Sequence, residues 1–149
     1  FKVMTRINAH IPPAKLCDQH LVAEYREILR TNALAIKRAR KEGKAMLKNI
    51  QQSFTLGGGH VTFFYDKLMY IHHRFDSLRS ELINRGMNAT IEWQLDELDE
   101  FRWLYNDWPE DPVANQLIVE RILERARGMK KISHTSQNID YETYFQILT

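Results

Sequence analysis

The first group that could do chemistry lies near the start of the sequence, at Met4 and Thr5. Met4 is either an ordinary residue or the natural initiator, and in the second case residues 1–3 are a vector-derived remnant. Removal of an initiator at position 4 would leave Thr5 with a free α-amine. Whether that amine takes part in a reaction depends on the side chains that the fold brings to it.

A second group lies on the polar side of the first predicted helix. At about 100° per residue, four polar residues share one face: Gln19, Arg26, Arg30 and Lys37. Basic side chains spaced along a helix can contact successive phosphates, and a glutamine can reach a base edge in a groove. Glu27, at the edge of this face, is open to two interpretations. It is a catalytic carboxylate within a cationic surface, or a helix-stabilising partner of Arg30 three residues later.

Three amphipathic helices are predicted to position these side chains. Apolar residues recur at three- and four-residue steps at about 14–41, 61–84 and 112–128. Asp111 is the expected N-cap of the third helix, with Pro112 at its first position and Gly128 at its end. No segment alternates as a strand for more than a few residues. The sequence predicts an all-α fold, with residues 4–149 forming a single compact domain of three main helices.

Composition limits the class of protein. The 149 residues are 44% hydrophobic and 27% charged, which is typical of a globular chain. No apolar run approaches the roughly 18 residues of a membrane span, and no signal-peptide pattern is seen. A single cysteine, Cys17, excludes an internal disulfide and lies on the apolar stripe as a small core residue. We therefore expect a cytoplasmic protein. We also expect a monomer, because no further apolar stripe is available to form an interface with a partner.

Charge is segregated along the chain although the net charge is only +2. Residues 37–48 and 121–131 are basic, whereas residues 92–100 are acidic and contain no basic residue. This distribution favours orientation on a polyanion. It is also compatible with solvated helix ends whose cations complement the helix dipoles.

Neither a metal site nor a phosphate-binding loop is predicted. His72 and His73 point about 100° apart on a helix, and His20 and His60 have no obvious carboxylate partner. The LGGGH run at 56–60 lacks the lysine and hydroxyl residue of a P-loop. It is better interpreted as a tight turn that allows close backbone approach, to the second helix or to a ligand.

Three blocks of the sequence resemble a known family. MTRIN at 4–8, DQHLVAEYREILR at 18–30 and LGGGHVTFFYDKL at 56–68 are similar to the pyrimidine-dimer DNA glycosylases of the phage endonuclease V type. The resemblance covers about residues 4–86. It implies an all-α enzyme that acts on damaged duplex DNA as a glycosylase and abasic-site lyase, without a metal or other cofactor. It also implies action in a host cytoplasm if the chain is phage-encoded.

The resemblance assigns roles to Thr5 and Glu27. The α-amine of Thr5 would attack C1′ and form an imine, and β-elimination would then cut the strand. Glu27 would stabilise positive charge and shuttle protons. An α-amine suits this role because, with a reference pKa of about 7.7–8.0, roughly a third of it is neutral near pH 7.4.

DNA-contacting roles are implied at further positions. They are carried by matched polar residues of the first two blocks, by the basic face and by the third helix: Arg6, Gln19, His20, Arg26, Arg30, Lys37, Arg121 and Arg125. Residues 128–149 depart from the family's short aromatic and basic tail. Two alternatives therefore remain, namely the same chemistry on another damaged or modified base, and a non-catalytic DNA-binding protein.

Overall fold

The computed structural model describes residues 7–93 and 99–149. In these residues the α-helices are α1 (Asp18–Glu27), α2 (Leu29–Glu42), α3 (His60–Phe63), α4 (Leu68–Asn84), α5 (Pro112–Arg127) and α6 (Tyr141–Leu148). Two strands, β1 (Ile132–His134) and β2 (Gln137–Ile139), pair antiparallel in a hairpin. Short 3₁₀ helices occupy Pro13–Lys15, Gly43–Asn49 and Arg102–Leu104. The predicted all-α class is confirmed, because the hairpin is the only sheet in the described part of the chain.

The first predicted helix is divided in two at Ile28. The N–H of Ile28 donates to the Glu24 carbonyl at 2.8 Å, as in an α-helix. The next helix begins with a hydrogen bond that spans three residues, as in a 3₁₀ turn, from Thr31 N–H to the Ile28 carbonyl at 3.2 Å. The backbone of Ile28 keeps helical angles, so the apolar stripe continues across the junction and does not reveal it in the sequence. The prediction of one continuous helix was wrong at this position.

The second predicted helix is also divided, and the third is confirmed. Residues 64–67 separate α3 from α4. The predicted stripe is nevertheless buried throughout, since every member is at most 1% exposed: Phe64, Leu68, Ile71, Phe75, Leu78 and Leu82. Asp111 caps α5 by accepting hydrogen bonds from the backbone of Val113 and Ala114, and Pro112 occupies the first turn.

The hairpin and α6 were not predicted. The strands are three residues long and are joined through Thr135 and Ser136, both with positive φ (51° and 66°). Turns of that kind usually carry Asn or Gly, so the sequence lacks the usual hairpin signal. Asp140 caps α6 by accepting from Thr143 N–H at 2.8 Å.

Buried apolar side chains from Ile7 to Leu148 form one hydrophobic cluster. Helix α1 packs against α4 and β1, and α5 packs against α6. Tyr144 of α6 is among the largest fully buried side chains. Every helix in the described residues is too short or too polar to cross a bilayer.

Candidate active site

Glu27 is the last residue of α1 and lies at the junction with α2. Its side chain is 26% exposed, and Oε2 lies 3.5 Å from Nη1 of Arg30. Arg26 and Arg30 are both exposed. The ion pair expected from the three-residue spacing therefore forms. Glu27 is half-buried, so part of its side chain remains open to solvent.

Glu24, one turn earlier, is buried in an ion pair with α4. Its Oε2 accepts from Arg74 Nε at 2.9 Å and its Oε1 from Arg74 Nη2 at 3.0 Å. Nη1 of the same guanidinium donates to the Ile11 carbonyl. Oε1 also accepts from the Asn8 side-chain amide at 2.9 Å. Both oxygens of Glu24 are thus committed to the fold, so Glu27 is the better candidate for chemistry on α1.

The segment that follows Thr5 and Arg6 is anchored at consecutive residues. Ile7 is fully buried, and its N–H donates to His60 Nε2 at 3.0 Å. Asn8 binds Glu24 as described above. Thr5 and Arg6 themselves lie outside the described residues. What the structure establishes is that the chain directly after them is fixed to α1 and to the start of α3.

Gly59, the last glycine of the LGGGH run, lies in a turn that closely approaches Gln51. Gly59 has φ +94°, and a Cβ at this position would lie 2.0 Å from Gln51 Nε2. The next residue, His60, begins α3 and is fully buried. The close approach expected at this turn is therefore made by Gln51, a residue that precedes the turn.

The first turn of α1 is held by the C-terminal hairpin. Asp18 is buried and accepts four hydrogen bonds of 2.8–3.0 Å; the donors are Arg85 Nη1, Ser133 Oγ and the backbone N–H groups of Thr135 and Ser136. Burial alone would raise the pKa of this carboxyl, but the hydrogen bonds outweigh burial and the pKa is lowered. The carboxylate also satisfies the backbone of the strained hairpin turn, a partnership that no local sequence signal indicates.

Gln19, expected to contact DNA, binds the same hairpin. Its Oε1 accepts from Ser133 N–H at 3.1 Å, and its Nε2 donates to Ser133 Oγ at 3.2 Å. In the described structure its side-chain amide therefore fixes β1 to α1. A DNA contact by Gln19 remains a prediction.

His20, a further predicted contact, pairs with α6. Its Nδ1 lies 2.8 Å from the Tyr144 hydroxyl, which also accepts from Cys17 N–H at 3.1 Å. Burial, with a smaller effect of the nearby Arg125 charge, lowers the pKa of His20 to about 4. The ring is therefore neutral at physiological pH. A neutral ring that accepts the tyrosine hydrogen at Nδ1 carries its own proton on Nε2.

The predicted basic residues of α5 lie close to this turn of α1. Arg125 is exposed, and its pKa is lowered by partial burial and by the like charge of Arg121 one turn earlier. Arg121 is half-buried, and its Nε makes no hydrogen bond within the described residues. Two arginines one turn apart form a concentration of positive charge suited to an anion. Lys37, on α2, is exposed to solvent.

The histidines considered for metal binding are engaged elsewhere. His72 hydrogen-bonds the Tyr105 hydroxyl at 2.8 Å and stacks on Trp93 with ring centroids 4.1 Å apart. Across residues 7–93 and 99–149, no three His, Cys, Asp or Glu side chains are grouped so as to hold a metal ion.

Arginines spaced along one helix face are the electrostatic feature expected of a protein that binds nucleic acid. The family model described as pyrimidine dimer DNA glycosylase matches residues 4–95, more than half of the chain. The chain therefore belongs to this family of DNA glycosylases, whose substrate is DNA. Helices α5 and α6 and the hairpin lie beyond the matched residues.

Proposed function

We propose that this protein excises pyrimidine dimers from duplex DNA and cleaves the resulting abasic site, with the Thr5 α-amine as nucleophile and Glu27 as the acid–base group. The observation that carries the proposal is the anchoring of residues 7 and 8 beside the helix that ends in Glu27. The family match supports the glycosylase step.

The anchoring limits how far the amine can be from Glu27. Two residues of extended chain span about 7 Å at most, which is the reach from Ile7 available to Thr5. Asn8 binds Glu24, and Glu27 follows Glu24 by one helical turn, with side chains roughly 5–6 Å apart at the Cβ atoms. The anchoring of Ile7 and Asn8 is therefore compatible with the meeting of amine and carboxylate that the proposal requires.

The reaction follows from these two groups. The neutral amine attacks C1′, and the base leaves with the electron pair of the glycosidic bond. The C1′–O4′ bond then breaks, O4′ takes up a proton from the attached amine, and the nitrogen holds the opened sugar as a protonated imine, which acidifies the hydrogens on C2′. Removal of one such hydrogen by Glu27 expels the 3′ phosphate and cuts the strand. The same carboxylate stabilises the positive charge that develops on the sugar.

Exposed and half-buried basic side chains supply a DNA-binding surface around this site. Arg26 and Arg30 flank Glu27, Lys37 extends the face along α2, and Arg121 and Arg125 project from α5. Arg6, next to the nucleophile, is proposed to join them. Attack at C1′ requires access that a stacked duplex denies, so the bound duplex is expected to be kinked, with a nucleotide extruded.

Borohydride trapping tests the nucleophile. A protein whose first residue is Thr5 should form a reducible covalent complex with an abasic-site duplex, whereas one with an additional residue before Thr5 should not. Equal trapping by both proteins would identify another amine. Absence of trapping from the first would remove the proposed lyase activity.

Two matched variants test Glu27. Glu27→Gln should slow strand cleavage by at least 100-fold, with duplex affinity retained. Glu42→Gln removes a surface glutamate that is likewise paired with an arginine, 3.6 Å from Arg38, and should leave cleavage unchanged. Equal activity of the two variants would exclude Glu27 from the chemistry.

A second substrate class is favoured by one observation: α5, the hairpin and α6 lie outside the matched residues, yet they hold the first turn of α1. Lesion choice can therefore differ while the chemistry is shared. Excision measured in parallel on ultraviolet-dimer duplexes and on duplexes with single modified bases decides between them. Excision confined to the dimer supports the primary proposal.

A further inference from the structure

His60 is held in one orientation and one tautomer. Its Nδ1 lies 2.9 Å from the Thr55 carbonyl oxygen, which can only accept, so the ring proton resides on Nδ1. Its Nε2 is then an acceptor and receives the N–H of Ile7 at 3.0 Å. Phe54 and Phe64 pack against the ring edge-on, with centroids 5.3 and 5.6 Å away.

The turn before His60 is built to place this ring. Gly59 has φ +94°, a conformation that side chains rarely adopt, and Gln51 fills the space that a Cβ would occupy. The chain can therefore reverse and begin α3 directly at His60. A glycine at position 59 is thus explained by the turn that places this ring.

The bond to Ile7 fixes the first described residue after Thr5 and Arg6. The Asn8 side chain is fixed to Glu24, but a single anchor leaves the preceding chain free to rotate. The bond from Ile7 N–H to His60 supplies a second, buried anchor at the adjacent residue. The chain before position 7 is therefore joined to a residue whose position is fixed. A misplacement of about 1 Å at a reacting group can slow an enzymatic step by about 100-fold.

We propose that His60 is a positioning residue for the nucleophile: by accepting the Ile7 N–H, it sets where the Thr5 amine lies relative to Glu27. This inference rests on the proposed function, and it assigns to the LGGGH block a role in alignment rather than in substrate contact. In this role His60 acts through the backbone of Ile7.

Two substitutions of similar size separate the hydrogen bond from the packing. His60→Gln places a side-chain oxygen close to the Nε2 position and can still accept from Ile7. His60→Asn places its amide close to Nδ1, retains the bond to Thr55 and leaves Ile7 without an acceptor. His73→Asn, at an exposed position of α4, controls for histidine loss. All are made in a protein that begins at Thr5.

The measurements are the single-turnover rate of borohydride trapping on an abasic-site duplex and the Kd for a duplex containing a tetrahydrofuran site. We expect His60→Asn to slow trapping at least tenfold with Kd changed less than twofold, and His60→Gln to recover most of the rate. Equal rates for parent and His60→Asn would overturn the inference, as would equal losses in the Asn and Gln variants. A parent that fails to trap would instead overturn the proposed function.

A further variant keeps the test decisive if His60→Asn does not fold. Insertion of one glycine between Arg6 and Ile7 leaves His60 and its buried contacts intact but displaces the amine. The inference requires a loss of trapping of similar size, with unchanged thermal stability. Trapping at the parent rate would show that alignment from Ile7 is unimportant.

Discussion

The hydroxyl of Tyr144 lies 2.8 Å from Nδ1 of His20 and joins the C-terminal helix α6 to the first turn of α1. The two residues are separated by 124 positions in the sequence. Tyr144 is fully buried, and burial raises the pKa of its hydroxyl, so the hydroxyl stays neutral in its hydrogen bond with His20. The pair thereby connects the region beyond the family match to the helix that carries Glu27.

Stability is predicted to fall as pH decreases from about 6.5 to about 4. The pKa of His20 is about 4 in the folded protein and near 6.5 when unfolded, so only the unfolded chain gains this proton in that range. The change amounts to at most about 2 kcal/mol between pH 7 and pH 5. Urea unfolding at both values measures it, and His20→Gln should reduce the difference.

Burial lowers the pKa of His10 as well, so His20→Gln should reduce the difference rather than abolish it. Tyr144→Phe should raise the pKa of His20 toward its ordinary value, as followed by NMR. Tyr141→Phe, whose hydroxyl binds Arg127 at 3.2 Å, is the control on the same helix. An unchanged His20 titration in Tyr144→Phe would show that the hydroxyl does not influence the ring.

Substitution of the two glutamates of the AEYRE block is predicted to affect stability differently. Loss of Glu24 should destabilise the protein, whereas loss of Glu27 should leave its stability nearly unchanged. Glu24→Gln leaves the buried Arg74 charge without its partner and should reduce the free energy of unfolding by about 3–5 kcal/mol. Glu27→Gln should change it by less than about 0.5 kcal/mol, because the carboxylate lies at the surface. Urea titration at pH 7.5 distinguishes them. Comparable losses would contradict the separation of structural and catalytic roles.

Gly59→Ala is predicted to destabilise the protein by about 1–3 kcal/mol. The substitution forces an alanine into a left-handed conformation and into contact with Gln51. Gly58→Ala, one residue earlier, meets no atom within 4 Å and requires no such φ, so its effect should stay within about 0.5 kcal/mol. Thermal unfolding of the pair measures the difference, and equal stability would argue against a strained turn at position 59.

Duplex binding is predicted to weaken steeply with salt, and Arg125→Gln should lower the log–log salt slope by about 1. Arg125 is exposed and lies near the like charge of Arg121. Arg102→Gln removes an exposed arginine that is already paired with Asp99 at 2.9 Å, and the slope should be unchanged. Fluorescence anisotropy between 50 and 200 mM salt provides the values. A nearly flat response in the parent would exclude the proposed basic surface.

The sequence predicted the features that depend on local periodicity. The stripe from Phe64 to Leu82 is buried as expected, and Asp111 caps α5, because helix spacing and capping are properties of neighbouring residues. The divisions at Ile28 and at 64–67 were missed because apolar residues continue through both. The hairpin was missed because Thr135 and Ser136 adopt a turn that distant contacts with Asp18 stabilise.

The candidate site was predictable to the extent that it lies on one helix. Glu27 and Arg30 form the pair that their spacing indicates, and that contact neither requires nor excludes catalysis. The Glu24–Arg74 ion pair joins residues 50 positions apart, and the Ile7–His60 bond joins residues 53 apart. Such pairings follow from the way the helices pack together. The apolar periodicity of a single helix does not indicate which distant residue will be its partner.

The hydrogen bonds from the hairpin and α6 to the start of α1 have a consequence for synthesis on the ribosome. Asp18 and Cys17 obtain their hairpin and α6 partners from residues 115–127 positions later in the chain. The full set of these partners exists only once translation has passed Tyr144. The helix that ends in Glu27 emerges early but cannot complete its contacts until late, so nascent chains that stall before the hairpin should hold this region unfinished and open to chaperones or proteases.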